Sequence, residues 1–437
     1  MTASPRIAVG ALAFVAAVSM LLAPALWNGF PLLQYDTGGY LARWYEGHLE
    51  ESRSTVFGLF LTVLARPDFW PAVVVQALAT VWTLRLTLRA HGFGWLALVV
   101  VTAVLCVTTA LPWLTSMLLT DIFTGLSVLA LYLLMLRSGY LGRVERIALV
   151  TFVAFAAATH SATLAVLIGL VICGALAALV ARRRMRIRPA SGIAALALSA
   201  VLLLAANAVV SSRIAWTPGG LSLLFGRTLE SGIAPRYLAE HCPDARIARL
   251  CEHRNEIPND ADLFFWGSDL FDKLGRFEGL GDEMSLVVRE SLTAYPLMHL
   301  KAAVTATATQ LAMVATGYGV HTELWHSIWT IERFAPAALP AMQAARQQRG
   351  ELGFDVINRL HVPVAWLSMA LLGVVVLLWA AQRGFVGIGP LAAVALLAIL
   401  GNAFVCGALS NPHDRYGARI VWLAPFVLML AAARQRR

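Results

Sequence analysis

Long apolar runs broken by short charged segments dominate the chain. Uncharged stretches lie near 6–27, 71–88, 94–112, 121–137, 147–159, 162–181, 190–211, 360–382, 386–409 and 417–433. They approach or reach the roughly 20 residues that cross a bilayer as a helix. The pattern predicts an all-α polytopic membrane protein with about ten transmembrane helices, interfacial helices and a small outer-face domain. Two other apolar stretches fit differently. Residues 55–65 are too short to cross and are followed by Pro67 and Pro71, which suits an interfacial or half-inserted helix. Residues 296–316 are long enough, but a crossing there would invert everything downstream and put Arg383 and the final Arg-Gln-Arg-Arg outside. A helix lying along the outer face is predicted instead. The first run follows Arg6 and ends in Ala23-Pro24-Ala25 like a secretory signal, yet it is longer than a signal core, which favours an uncleaved anchor.

Composition agrees: with 59% hydrophobic and only 14% charged residues, the chain is neither a soluble globular protein nor a disordered one. The excess of 34 basic over 25 acidic side chains, a net +9, would point to nucleic acid in a soluble protein. Here the arginines fall in alternate connections: Arg85 and Arg89; Arg137, Arg143 and Arg146; Arg182, Arg183, Arg184, Arg186 and Arg188; Arg383; and Arg434, Arg436 and Arg437. That is the positive-inside pattern, so no nucleic-acid partner is implied. With this threading Glu145 is the one acid on the cytoplasmic side. Both termini are predicted cytoplasmic, in a bacterial inner membrane. The chain then divides into a transmembrane module, 1–211, with a first outer loop at 28–54; a periplasmic region, 212–359; and the last transmembrane helices, 360–437. No glycine-rich phosphate loop is present and the cytoplasmic connections are too short for a nucleotide domain, which argues against ATP-driven chemistry.

Cys106, Cys173 and Cys406 fall inside predicted spans, where a thiol is a small apolar filler. Cys242 and Cys251, nine residues apart in the periplasmic region, could bridge or remain two free thiols. His241 and His253 flank them, in a spacing that matches no zinc pattern.

Four places could carry chemistry. In the first outer loop Asp36 sits between Tyr35 and Thr37-Gly38-Gly39, where glycines would permit a sharp turn and a close approach to a ligand. The same acid could simply serve a turn or cap a helix starting near Tyr40. Thr120-Asp121 stands where an outer loop re-enters the membrane, so Asp121 is either a helix cap or a second carboxylate on Asp36's side. His160 occupies an outer turn. Arg415 and Tyr416 open the last span on the outer side, against the positive-inside trend; Arg415 could pair with Asp414 or offer its planar fork to a phosphate.

These features, in this order, resemble the GT-C superfamily of polytopic glycosyltransferases. An acid in the first outer loop is matched by Asp36. A Thr-Asp followed by a leucine-rich helix is matched by Thr120 through Leu134, and a last span opening with Arg-Tyr by Arg415 and Tyr416. The likeness covers most of 1–210 and the last spans, and is weaker over 212–359. The chain departs from the family pattern at Thr37, where a second acid is frequent, and at His160-Ser161, where the bacterial branch often has Lys-Gly. It also resembles bacterial membrane proteins with an Asp-Thr-Gly-Gly first loop.

The resemblance implies transfer of a sugar from a polyprenyl-phosphate carrier to a glycan, lipid or protein acceptor, with membrane lipids around it. Asp36 would then be the base and Asp121 its support. Tyr35, Arg53, His160, Lys301, Arg415 and Tyr416 are candidates for the donor and its phosphate. Lys301 stands out because Lys273 is the only other lysine. No cofactor is required by the sequence; a divalent metal is possible, without a ligand set beyond Asp36 and perhaps His160 or His299. The rival expectations are a transporter or flippase, which would place ionisable residues near the bilayer midplane, and a non-catalytic component of envelope glycan assembly.

Overall fold

A computed structural model describes residues 5–49, 52–180, 187–384 and 387–435. The predicted cytoplasmic arginines Arg182, Arg183, Arg184, Arg186, Arg436 and Arg437 lie outside the described residues. Regular structure among those described is helical, apart from one isolated bridge between Leu32 and Met117. The first half holds α1 (Pro5–Asn28), α2 (Tyr35–Glu46), α3 (Thr55–Val63), α4 (Trp70–Ala90), α5 (Trp95–Thr108), α6 (Asp121–Leu136), α7 (Arg143–Thr159), α8 (Ser161–Val180) and α9 (Pro189–Ser211). The middle region contributes α10 (Gly220–Glu230), α11 (Ile233–His241), α12 (Arg276–Ala294), α13 (Pro296–Ala312) and α14 (Trp325–Phe334). The chain closes with α15 (Phe354–Ala380), α16 (Gly389–Ala408), α17 (Asp414–Val421) and α18 (Leu423–Gln435).

Among the described residues, seven helical segments are long and apolar enough to cross a membrane: α1, α4, α8, α9, α15, α16, and α17 with α18 taken together. The chain is therefore a helical, multi-pass membrane protein by the length and composition of its helices. The remaining three of the ten expected spans, α5, α6 and α7, have 14, 16 and 17 residues. At 1.5 Å per residue they reach about 21–26 Å, short of a hydrocarbon core of about 30 Å. For α6 the reason is visible. Asp121 through Met135 are all buried, so neighbouring helices rather than lipid set its length. On α5 the helix stops at Thr108; the next hydroxyl, on Thr109, donates to the Leu105 carbonyl at 2.6 Å, and Pro112 lies just ahead.

The bundle has two chemically distinct ends. One gathers arginines: Arg89 bonds Glu145 at 2.6 Å, Arg137 donates to the Gly387 carbonyl at 2.7 Å, and Arg434 lies against Gly387. The other carries the first loop, which is sewn into the bundle by buried polar groups. Leu32 N–H donates to Ser116 O and Leu118 N–H to Leu32 O, each at 2.9 Å. Gln347 exchanges two bonds with the Leu33 backbone, at 3.0 and 2.8 Å. Buried donors and acceptors must find partners, and here that requirement fixes the loop beside the start of α6.

Where the sequence predicts a helix along the outer face at 296–316, the structure forms α13, Pro296–Ala312. Helix α13 packs alongside α16, so closely that a Cβ at Gly407 would meet the Ala306 carbonyl at 2.5 Å. A Cβ at Gly417 would likewise collide with the Met313 carbonyl. Such small residues let helix backbones approach in a membrane bundle. Met298 and Ala302, in the first half of α13, pack on the middle region, and Gln310 near its last turn donates to His413 O at 2.9 Å. That middle region has a hydrophobic cluster of its own, built on Phe225, Tyr237, Phe264, Phe265, Phe271 and Met284 from α10 to α12. Cys242 and Cys251 form a disulfide within it, their Cα atoms 5.5 Å apart.

Candidate functional site

Helix α2 begins at Tyr35, five residues earlier than the sequence suggests, because Gln34 and Thr37 cap each other's backbone in a capping box. Asp36 is thereby released from capping. Its carboxylate points away from its own helix and accepts from Arg53 Nη2 and Arg415 Nη1, both at 2.6 Å. The two glycines that follow serve neighbours rather than a turn. A Cβ at Gly38 would meet Ser327 Cα at 2.6 Å, and one at Gly39 would meet Arg53 Nε at 3.2 Å. Missing side chains thus allow α14 to press on α2 and let Arg53 reach across to Asp36.

Asp121, the first residue of α6, accepts from Arg415 Nε at 2.7 Å through Oδ2, and its Oδ1 stands 3.6 Å from Arg419 Nη1. One guanidinium therefore bridges the two aspartates. Arg419 follows Arg415 by four residues, one turn along the same face, and is anchored by Asn402 Oδ1 at 2.7 and 3.0 Å and by Cys406 Sγ at 3.1 Å. Burial is graded across the cluster. The side chains of Arg419 and Asp121 are 0% and 1% exposed, Arg415 8% and Asp36 16%. Asp36 is the more accessible of the two carboxylates.

Burial alone would raise the pKa of Asp36, but the guanidinium groups of Arg53 and Arg415 hold it well below the usual carboxylate range. His160 ends α7 in an extended conformation within electrostatic reach of Arg419, Arg415, Asp36 and Arg53. Burial, reinforced by these arginines, keeps its imidazole neutral. The inner cluster holds three arginines against two aspartates, one positive charge in excess. Asp121 Oδ1 and Arg419 Nη1 face each other as an ion pair at 3.6 Å without a hydrogen bond, and among the described residues Tyr40 Oη, Thr120 Oγ1 and His160 Nδ1 are buried here without a hydrogen-bond partner. An unpaired buried polar group costs about 1–3 kcal/mol, so these atoms are open to a further polar partner.

Of the sequence candidates, Asp36, Asp121, Arg53, His160 and Arg415 come together. Tyr416 lies beside them, its ring 5.4 Å from the Arg415 guanidinium and 5.2 Å from that of Arg419. Tyr35 points elsewhere, exposed and against the His321 ring at 5.3 Å. Lys301 is exposed on α13, and among the described residues no hydrogen bond or ion pair joins it to the cluster. Arg415 takes the aspartates inside the bundle, whereas Asp414 accepts from Ala315 N–H at 2.8 Å.

Sequence reasoning missed Arg419, Tyr40 and Asn402. The signal for Arg419 was its four-residue spacing from Arg415 inside an apolar span, where an ionisable side chain is costly without a purpose. Among the described residues no group of three or more His, Cys, Asp or Glu side chains could hold a metal ion. Arg415 bridges the two carboxylates where a divalent cation would sit, and the surplus charge is already positive, so the donor set does not fit a cation as arranged.

Together these features define a helical membrane protein with a buried, arginine-rich charged site at one end of its bundle. Comparison with family models, with curated proteins and with solved structures finds no match.

Proposed function

We propose that this chain is an integral-membrane glycosyltransferase. It takes a sugar from a polyprenyl-phosphate carrier and passes it to a glycan, lipid or protein acceptor on the outer face of a bacterial cytoplasmic membrane. One observation carries the reading: a partly exposed carboxylate, Asp36, held between arginines in a cluster with surplus positive charge and unpaired polar atoms at one end of the helical bundle. The gathering of arginines at the opposite end supports cytoplasmic termini by the positive-inside rule.

In the free protein Asp36 is a poor base because Arg53 and Arg415 hold it ionised. The donor's phosphate, arriving at the cluster, competes for those guanidiniums, whose planar forks suit it. As the arginines turn to the phosphate, the proton affinity of Asp36 rises towards that of an ordinary carboxylate. The acceptor hydroxyl then gives its proton to Asp36 and forms a bond to the anomeric carbon. The bond from that carbon to the phosphate oxygen breaks, and the departing phosphate anion stays on the arginines. Asp121, fully enclosed, remains the fixed counter-ion of Arg415 and Arg419 throughout.

A second reading has its own observation: Arg419 and Asn402 are fully buried within the bundle, the placement that a flippase or transporter uses for an anionic head group. Purified protein incubated with lipid-linked sugar and acceptor separates the two. Transfer that is lost in Asp36→Asn supports the enzyme; carrier movement across proteoliposomes without transfer supports the transporter.

A further inference from the structure

A groove lies at the arginine-bearing end, along the bundle from the Asp36 cluster. Its volume is about 140 Å3, and it is a side-opening groove rather than an enclosed chamber. Its walls are apolar: Leu131 and Met135 of α6, Leu170 and Cys173 of α8, and Val394 and Leu397 of α16. Cys173 and Leu397 are themselves exposed, so the groove opens sideways, where acyl chains surround a membrane protein. Its lip is polar. Tyr132, which lines the groove, receives a hydrogen bond from Arg137 Nε at 2.9 Å, and Arg137 Nη2 donates to Gly387 O at 2.7 Å. Arg434 packs against the same Gly387, three residues before Pro390 in the groove wall. Two guanidiniums thus converge at one lip. Among the described residues neither has an acidic partner, because Glu145, the one acid at this end, is taken by Arg89 at 2.6 Å.

We propose that this groove is a binding site for an anionic phospholipid, one acyl chain lying between α6, α8 and α16 and the phosphate meeting Arg137 and Arg434. Charge complementarity selects this occupant over a zwitterionic lipid: an arginine near an anionic surface is worth about a fivefold change in affinity. The site is separate from the Asp36 cluster and stands whether or not that cluster transfers sugar.

The test uses the full chain in detergent with equal dioleoyl phosphatidylglycerol and dioleoyl phosphatidylcholine, read by native mass spectrometry. The wild type should retain phosphatidylglycerol in preference to phosphatidylcholine. Arg434→Gln, at an exposed position, should lower that preference about fivefold. Ala393→Trp, which fills the groove, should abolish retention of both, with its melting curve confirming the fold. Equal retention of the two lipids by wild type, or an unchanged preference in Arg434→Gln, overturns the proposal even if Ala393→Trp does not fold. Undiminished binding in folded Ala393→Trp overturns it as well.

Discussion

Asp36 and Asp121 share one arginine, yet their surroundings predict opposite consequences for losing the charge. Asp121→Asn leaves Arg415 and Arg419 buried with one carboxylate fewer. At an effective dielectric near 20, each attraction across about 4 Å amounts to about 4 kcal/mol, and Asp121 has contacts of 2.7 and 3.6 Å. Desolvation of Asp121 itself offsets part of that sum, leaving the about 3–5 kcal/mol typical of breaking one side of a buried pair. Asp36 is 16% exposed and its second partner, Arg53, 19%, so water can replace what Asn fails to provide. The cost there is about 1–2 kcal/mol. Apparent melting temperatures of purified wild type, Asp36→Asn and Asp121→Asn at neutral pH and one scan rate would measure this ranking. Asp121→Asn should melt well below Asp36→Asn, which should stay near wild type. Equal melting of all three, or the reverse order, would refute the assignment of Asp121 as enclosed counter-ion and Asp36 as the available acid.

Three other expectations follow from the same contacts. Gly38→Ala drives a methyl into the Ser327 backbone at 2.6 Å; it should cost about 1–3 kcal/mol and reduce activity by shifting Asp36, whereas Gly281→Ala, with open space at its Cβ, should change neither in the same assays. Reduction of Cys242–Cys251, or Cys242→Ser, should cost the middle region about 2–3 kcal/mol, seen as faster hydrogen exchange in α11 and α12 with the bundle unaffected. In that region hydrogen bonds from Tyr237 and Arg246 lower the pKa of Glu290, and hydrogen bonds from Arg246 lower that of Asp244. A depressed carboxylate contributes stability above its unfolded value, so exchange protection there should hold at neutral pH and fall as pH drops below about 4; protection that instead rises on acidification would contradict the sign.

The helical class and the separation of charge between the two ends were legible because bilayer length and arginine placement are one-dimensional signals. The short, enclosed α6 was not, since its sequence reads like a lipid-facing span and only its neighbours reveal that protein surrounds it. The meeting of Asp36, Asp121 and Arg415 could be foreseen in outline from their shared side of the membrane. That Arg53 rather than Lys301 reaches Asp36 depends on Gly39 leaving room for the Arg53 side chain, a matter of packing. The path of α13 turned on close backbone contacts at Gly407 and Gly417, which no hydropathy pattern encodes.

The most direct measurement is mass spectrometry of lipid-linked and surface glycans in a strain lacking this chain, complemented by wild type and by Asp36→Asn at matched membrane levels. A sugar-sized mass that disappears on deletion, returns with wild type and stays absent with Asp36→Asn is the predicted result. Glycans unchanged by deletion, or restored equally by Asp36→Asn, would contradict a glycosyltransferase centred on Asp36.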